Sequence, residues 1–171
     1  MERLETVSNY SFRKARRDQA DAIFSLYREA MLEGKKNGTS DWSEEYPTRE
    51  WLDEDLELQR VFNLEAGTAI VASVVLLETD DLDNEPLGWQ ALKSCVPVRL
   101  CVSPKSQGRR IGEQMMNYLI EYAKQQGYQS MRLIAVVNNA AANRLYRRMG
   151  FAFLGIVQLY GKRFNAYELV F

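Results

Sequence analysis

Residues 107–112 read QGRRIG, a run whose glycines and basic side chains suit the holding of an anion. Just before it, Val98, Leu100 and Val102 alternate with Arg99, Cys101 and Ser103 at the period of a half-buried strand, and Pro104 ends the ladder. Just after it, Ile111, Met115, Tyr118, Leu119 and Tyr122 follow at helical spacing, with Gly127 where a helix would stop. A turn from strand to helix aims successive backbone N–H groups outward from the helix N-terminus, where the helix dipole favours negative charge. That is the outline of a phosphate cradle. It is not the dinucleotide-binding pattern, because the glycines stand four apart and none precedes Gly108 within the run; nor does a Gly-Lys-Ser/Thr close the turn as in a nucleoside-triphosphate loop. Taken alone, the run is equally a structural corner, with Gly108 for the bend and Gly112 for close packing.

A second run, 138–151, reads NNAAANRLYRRMGF. Asn139 is suited to cap a helix, Ala142, Leu145, Tyr146 and Met149 make one apolar stripe, and Gly150 is a natural stop. The two runs together, Q-x-x-x-x-G followed by N-x-x-A-x-x-L-Y-x-x-x-G-F, resemble the GNAT superfamily of acyl-CoA-dependent N-acyltransferases. The resemblance extends over nearly the whole chain in the order of elements. Weaker echoes are Trp42 with Tyr46 and Pro47 before an acidic helix, and a closing Tyr167, Glu168, Leu169 strand. One position departs from the family pattern Q/R-x-x-G-x-G/A: its first glycine is Arg110 here. Arginine supplies the same backbone N–H where its φ is helical and is costly where φ is positive, so the cradle is expected only in the first case.

The resemblance implies a mixed α/β (α+β) fold with a mostly antiparallel central sheet, a splayed parallel strand pair at 98–103 and 131–137, and about four helices. It implies acetyl-CoA as cosubstrate, a primary amine as acceptor, and direct attack in a ternary complex with no metal. Carried over residue by residue, backbone groups of Gln107, Gly108, Arg109, Arg110, Ile111 and Gly112 hold the pyrophosphate. Leu100, Cys101 and Val102 pair with pantetheine in the splay, Asn139 and Ala142 line its arm, and Tyr146 protonates the leaving sulfur. On an apolar helix face a tyrosine is otherwise a core residue. The motifs name no general base; Glu78, or a backbone carbonyl with water, are the candidates. A non-catalytic acyl-CoA-binding module with the same fold is the rival reading.

The chain has no histidine, which removes the commonest general base and the Ser-His and Cys-His nucleophile pairs together. With 171 residues, 46% of them hydrophobic, 1–171 is expected to form a single domain. The opening MERLETVSNY lacks a signal-like apolar stretch and no run of eighteen apolar residues occurs, so a soluble, cytoplasmic protein is expected, without membrane or nucleic-acid partners. Cys95 and Cys101 are expected as reduced core thiols. A homodimer is left open.

Along the chain, 10–15 reads as a first strand. Asp18 is expected to cap a helix to about Gly34, with Ala22, Ile23, Leu26, Tyr27 and Ala30 inward. An irregular loop at 35–48 carries Trp42 and Tyr46, which either fold over a ligand or plug the core edge. Thr48 caps a second helix with Trp51, Leu52, Leu56 and Leu58 inward. Segments 61–65 and 69–77 form a hairpin, 79–88 an acidic loop, and 131–137, 152–158 and 164–171 further strands. Charge is segregated. Residues 33–90 hold 15 acidic and 4 basic side chains, a net of −11, whereas 91–171 hold 12 basic and 3 acidic, a net of +9. The basic part carries both cofactor motifs. The acidic part is either solvated surface or the border of a site for a cationic amine.

Overall fold

The structure, a computed structural model, describes residues 9–39 and 42–171. Most of the N-terminal stretch read above as lacking a signal lies outside them, as do positions 40 and 41 of the loop that carries Trp42. Seven strands form one sheet: β1 Ser11–Lys14, β2 Val61–Ala66, β3 Ala69–Leu77, β4 Ser94–Val102, β5 Ser130–Val136, β6 Ala152–Leu159 and β7 Lys162–Val170. Their order is β1-β2-β3-β4-β5-β7-β6, and every neighbouring pair is antiparallel except β4 with β5. Helices α1 Ala20–Asn37 and α2 Arg49–Glu57 cover one face, burying Ile23, Tyr27, Leu52 and Leu56 against Val61, Val75 and Cys101. Helices α3 Ile111–Gln125 and α4 Ala140–Arg148 cover the other, with Met115, Leu119 and Tyr146 against Leu64, Val74, Met131 and Leu133. No helix among the described residues is long and apolar enough to cross a membrane.

Three local expectations are corrected. Residues 17–19 form a 3₁₀ turn rather than a helix capped by Asp18, because Arg16 N–H donates to Gln19 Oε1 and Gln19 Nε2 to Glu65, tying this segment to β2. Helix α1 therefore begins at Ala20 and runs past Gly34 to Asn37, where Gly38 at φ 66° stops it; Ala22 is exposed and Met31 is buried instead. In α2, Leu52 and Leu56 are buried as expected, but Trp51 and Leu58 are 46% and 55% exposed. The inward phase is taken by Asp55, a fully buried carboxylate held by two arginines.

The alternation expected in β4 breaks, and the break opens the sheet. Leu76 N–H donates to Arg60 O, away from β4, so its partner Pro97 turns its backbone toward β5, where it has no N–H to offer. Pairing with β5 accordingly stops after Ser94 with Ser130 and Cys95 with Met131. Two residues on, Arg99 and Leu100 stand opposite the single residue Val74, a bulge with Arg99 at φ 53°, which bends β4 further. Ser103 N–H donates to Val71 O, so in the same phase Cys101 faces β3 while Leu100 and Val102 turn their backbone groups into the gap.

An ion network anchors the acidic segment to the second half of the sheet. Arg132 on β5 donates from Nε to Glu168 (3.1 Å), from Nη1 to Asp83 (2.8 Å) and from Nη2 to Ala91 O (2.6 Å), and its guanidinium lies 4.6 Å from the Trp89 ring centre. Glu168, 2% exposed, also accepts from Ser130 Oγ and Gln90 N.

Candidate active site

At the mouth of the splay, the 3₁₀ turn Pro104–Ser106 leads through residues 107–110 into α3. Among the described residues, no carbonyl accepts from the backbone N–H of Gly108, Arg109, Arg110, Ile111, Gly112 or Glu113; the first helical bond runs from Gln114 N to Arg110 O at 3.0 Å. Consecutive donors without a carbonyl partner at a helix N-terminus are groups able to bind an anion. Arg110 has φ 55° and ψ 34°, so the helical φ on which the expected cradle depended is not the one it adopts. The turn places both Gly108 (φ 82°) and Arg110 in the left-handed region. Arginine bears a cost of about 1–2 kcal/mol there that glycine would not, and the donors stay free nonetheless. A Cβ on Gly112 would lie 3.7 Å from Leu145 and from Val102, ordinary contact distances, so close packing alone does not call for a glycine at that position. Cys101 stands apart from its two neighbours in β4. Its backbone faces β3, and its thiol is buried beneath α1, its pKa raised by desolvation.

Helix α4 closes the other wall. Asn139 caps it as expected, its Oδ1 accepting from Ala142 N at 3.1 Å. Asn143, which the sequence reading passes over, is buried and ties α4 to the sheet. Its Nδ2 donates to Val136 O (3.1 Å) and Asn139 O (2.8 Å), and its Oδ1 accepts from Asn165 Nδ2 (2.9 Å) and Tyr167 Oη (2.6 Å). The available signal was a polar residue in the inward phase of a helix carrying many arginines. Tyr146, 8% exposed, packs its ring against Phe151 and Tyr167. Its hydroxyl has no hydrogen bond to a described residue, yet it is not among the polar atoms sealed without a partner, which are Tyr27 Oη, Asn63 Oδ1, Ser73 Oγ and Arg99 Nε. Burial, with Tyr167 adding to it, pushes the Tyr146 pKa up to about 12.

The bulge also sends a side chain to the opposite face. Arg99, its side chain 6% exposed, donates from Nη2 to Asp55 (2.7 Å) and from Nη1 to the Tyr46 hydroxyl (3.2 Å), above the Trp51 ring. Asp55 also accepts from Arg60 Nε at 2.7 Å. Tyr46 and Trp51 thus sit beside β4 rather than at a distant edge. Across from them the turn between β6 and β7 brings Tyr160, whose hydroxyl donates to Asp81 at 3.1 Å. Asp80, next to it, is held above the usual carboxylate range by burial, with like-charged Asp81 and Asp83 adding to the effect. Arg99 and Asp55 were missed because strand alternation and helix phase alike assign them to solvent. Glu78, a candidate base, is not brought to Tyr146. It is exposed and lines a cleft of about 900 Å³ with Lys93, Ser94, Tyr122 and Tyr128, at the end where β4 and β5 are still joined.

Residues 20–151 match the family model for the acetyltransferase (GNAT) family. No curated protein matches the chain in sequence. Among solved structures, a GNAT-family acetyltransferase from Streptococcus agalactiae aligns with a TM-score of 0.84 at 21% identity, over 95% of each chain. One from Listeria monocytogenes aligns at 0.78 and 22%, again over 95% of each. The paia N-acetyltransferase from Thermoplasma acidophilum, in complex with coenzyme A, aligns at 0.73 and 16%, over 95% of this chain and 99% of its own. At these identities the likeness establishes the fold.

Proposed function

Because the chain belongs to the acetyltransferase (GNAT) family, whose members carry out acetyl-CoA-dependent acyl transfer, we propose that it moves the acetyl group of acetyl-CoA onto a primary amine, by direct attack in a ternary complex. The observation that carries this reading is the splay. Its β4 edge offers the backbone groups of Leu100 and Val102, its mouth offers the free donors from Gly108 to Glu113, and its α4 wall offers a buried tyrosine with a free hydroxyl. In this reading the turn binds the pyrophosphate through N–H groups and the helix dipole, with Lys105, Arg109 and Arg110 adding charge at the rim. Asn139 and Ala142 border the pantetheine arm.

Tyr146 then acts on the departing sulfur. Its raised pKa keeps it protonated throughout the neutral range, so a donor is always in place as the carbon–sulfur bond breaks. The acceptor enters from the side of Tyr46, Trp51, Asp80 and Tyr160 and must arrive as the neutral amine, since an ammonium has no lone pair. With Glu78 at the closed end, its proton leaves through a backbone carbonyl or water. Acetyl-CoA-dependent release of free CoA with one or more members of a panel of primary amines, peptides and aminoglycosides is the expected result. Acetyl-CoA binding by calorimetry without turnover across the panel would leave the non-catalytic module, and no binding to the folded protein would remove both.

A further inference from the structure

Helix α4 is held to the sheet by a polar contact. Its nine residues bury two side chains, Asn143 and Tyr146, which stand three apart and so share one face. A helix this short is marginal in water and depends on what its inward face meets. Asn143 meets a complete set of partners. A side-chain amide has two N–H bonds to give and room for two on its oxygen, and here all four are made: Nδ2 gives to Val136 O and Asn139 O, while Oδ1 receives from Asn165 Nδ2 and Tyr167 Oη. The two carbonyls can only accept, which fixes the Nδ2 side and leaves the oxygen facing Asn165 and Tyr167.

The consequence falls on two tyrosines. Tyr167 is fully buried, and its ring centre stands 6.0 Å from that of Tyr146. An amide oxygen has no proton to return, so the Tyr167 hydroxyl is committed as a donor to Asn143, and its ring cannot slide without breaking a 2.6 Å bond in a buried setting. The Tyr146 ring rests on that ring and on Phe151. Val136 closes β5, the strand that leaves β4 at the splay, and Asn139 caps α4, so the same amide also fixes the wall on which Tyr146 stands. We infer that Asn143 is the positioning residue for Tyr146: by locking the Tyr167 hydroxyl and the corner between β5 and α4 together, it sets where the Tyr146 hydroxyl points in the splay. The inference rests on the proposed reading of Tyr146 as the acid that meets the leaving sulfur. It goes beyond that reading because Asn143 occupies one of the open positions of N-x-x-A-x-x-L-Y and belongs to neither motif.

A double-substitution experiment tests this. Tyr167→Phe keeps the ring beside Tyr146 and the other three bonds of Asn143, and deletes only the link between Asn143 and that ring. With the panel amine of highest turnover, it is expected to lower kcat about tenfold, with KM for acetyl-CoA within about twofold and thermal unfolding still cooperative. Asn143→Ala, which removes all four bonds, is expected to lower kcat about 10²-fold. In a Tyr146→Phe background, where no proton is left to aim, each substitution is expected to cost less than about twofold. Should Asn143→Ala fail to fold, Tyr167→Phe alone decides. Losses of the same factor in both backgrounds would make Asn143 a purely structural tie and overturn the inference, as would a Tyr167→Phe enzyme with wild-type kcat. A wild type that releases no CoA with any amine of the panel would instead take down the reading of Tyr146 together with the inference.

Discussion

In the proposed reaction Tyr146 would take its acid strength from burial, which raises its pKa. A phenol at about pH 12 would be a poor acid toward an ordinary thiolate, since free thiols titrate near 8.5. The sulfur in the splay, however, would leave in the same desolvated surroundings. The buried thiol of Cys95 on β4 indicates the effect, since desolvation pushes its pKa up to about 12 as well. Burial that strengthens the base as much as it weakens the acid keeps the two matched. Tyr146→Phe preserves the ring packing against Phe151 and Tyr167 and removes the proton. Turnover is expected to fall by about 10² to 10⁴ with acetyl-CoA affinity unchanged by calorimetry. The pH profile follows with a definite sign. The rate rises as the acceptor ammonium loses its proton, and because Tyr146 must stay protonated, its own descending limb lies beyond pH 10. An inflection downward near pH 8 in the wild type, absent from Tyr146→Phe, would contradict the raised pKa.

The elements around the splay owe their positions to two local conflicts, the missing N–H of Pro97 and the left-handed residues Arg99 and Arg110. At Arg110, glycine would remove the left-handed cost but lose about 0.5–1 kcal/mol to chain entropy. Arg110→Gly is therefore expected to gain no more than about 1.5 kcal/mol in denaturant unfolding, and to keep acetyl-CoA affinity within a few-fold because the donors belong to the backbone. Gly108→Pro, which removes a donor and cannot reach φ 82°, should abolish binding while the protein remains folded. Strong binding by that variant would move the anion site elsewhere. The acidic segment makes a different demand. Arg132→Ala leaves Glu168 and Asp83 without their cation, Glu168 in a fully buried setting, and should cost about 3–5 kcal/mol by the same measurement. The hairpin of β2 and β3, the cap at Asn139 and the stop at Gly127 were readable because each is a signal within a few residues. The phase of α2 was not, since Asp55 turns inward only for Arg60 and Arg99, the latter on a strand far along the chain.

At the scale of the molecule, residues 33–90 carry a net of −11 and residues 91–171 a net of +9. The cradle and α4 belong to the basic part. Asp80 and Asp81, beside Tyr160, belong to the acidic one. With the phosphates held at the proposed turn, acids beside Tyr160 would draw a cationic acceptor to the opposite side. The specificity constant of an amine carrying a second cationic group is therefore expected to fall as salt rises from low to physiological strength, while a matched amine carrying a carboxylate is the poorer substrate at low salt. Preference for the carboxylate, or no salt effect on either, would leave the acids as solvated surface. By itself the sequence determined the mixed α/β class, the family and the two motifs of the cofactor side, because glycine, cap and apolar spacing act over a single turn of chain. Only the tertiary structure decided that Arg110 keeps a glycine's conformation, that Cys101 turns away from the splay, that Asn143 and Arg99 hold its walls, and that Glu78 lies at its closed end. Each of those outcomes depends on which strand faces which, and pairing between residues distant in the chain leaves no period in the sequence to read.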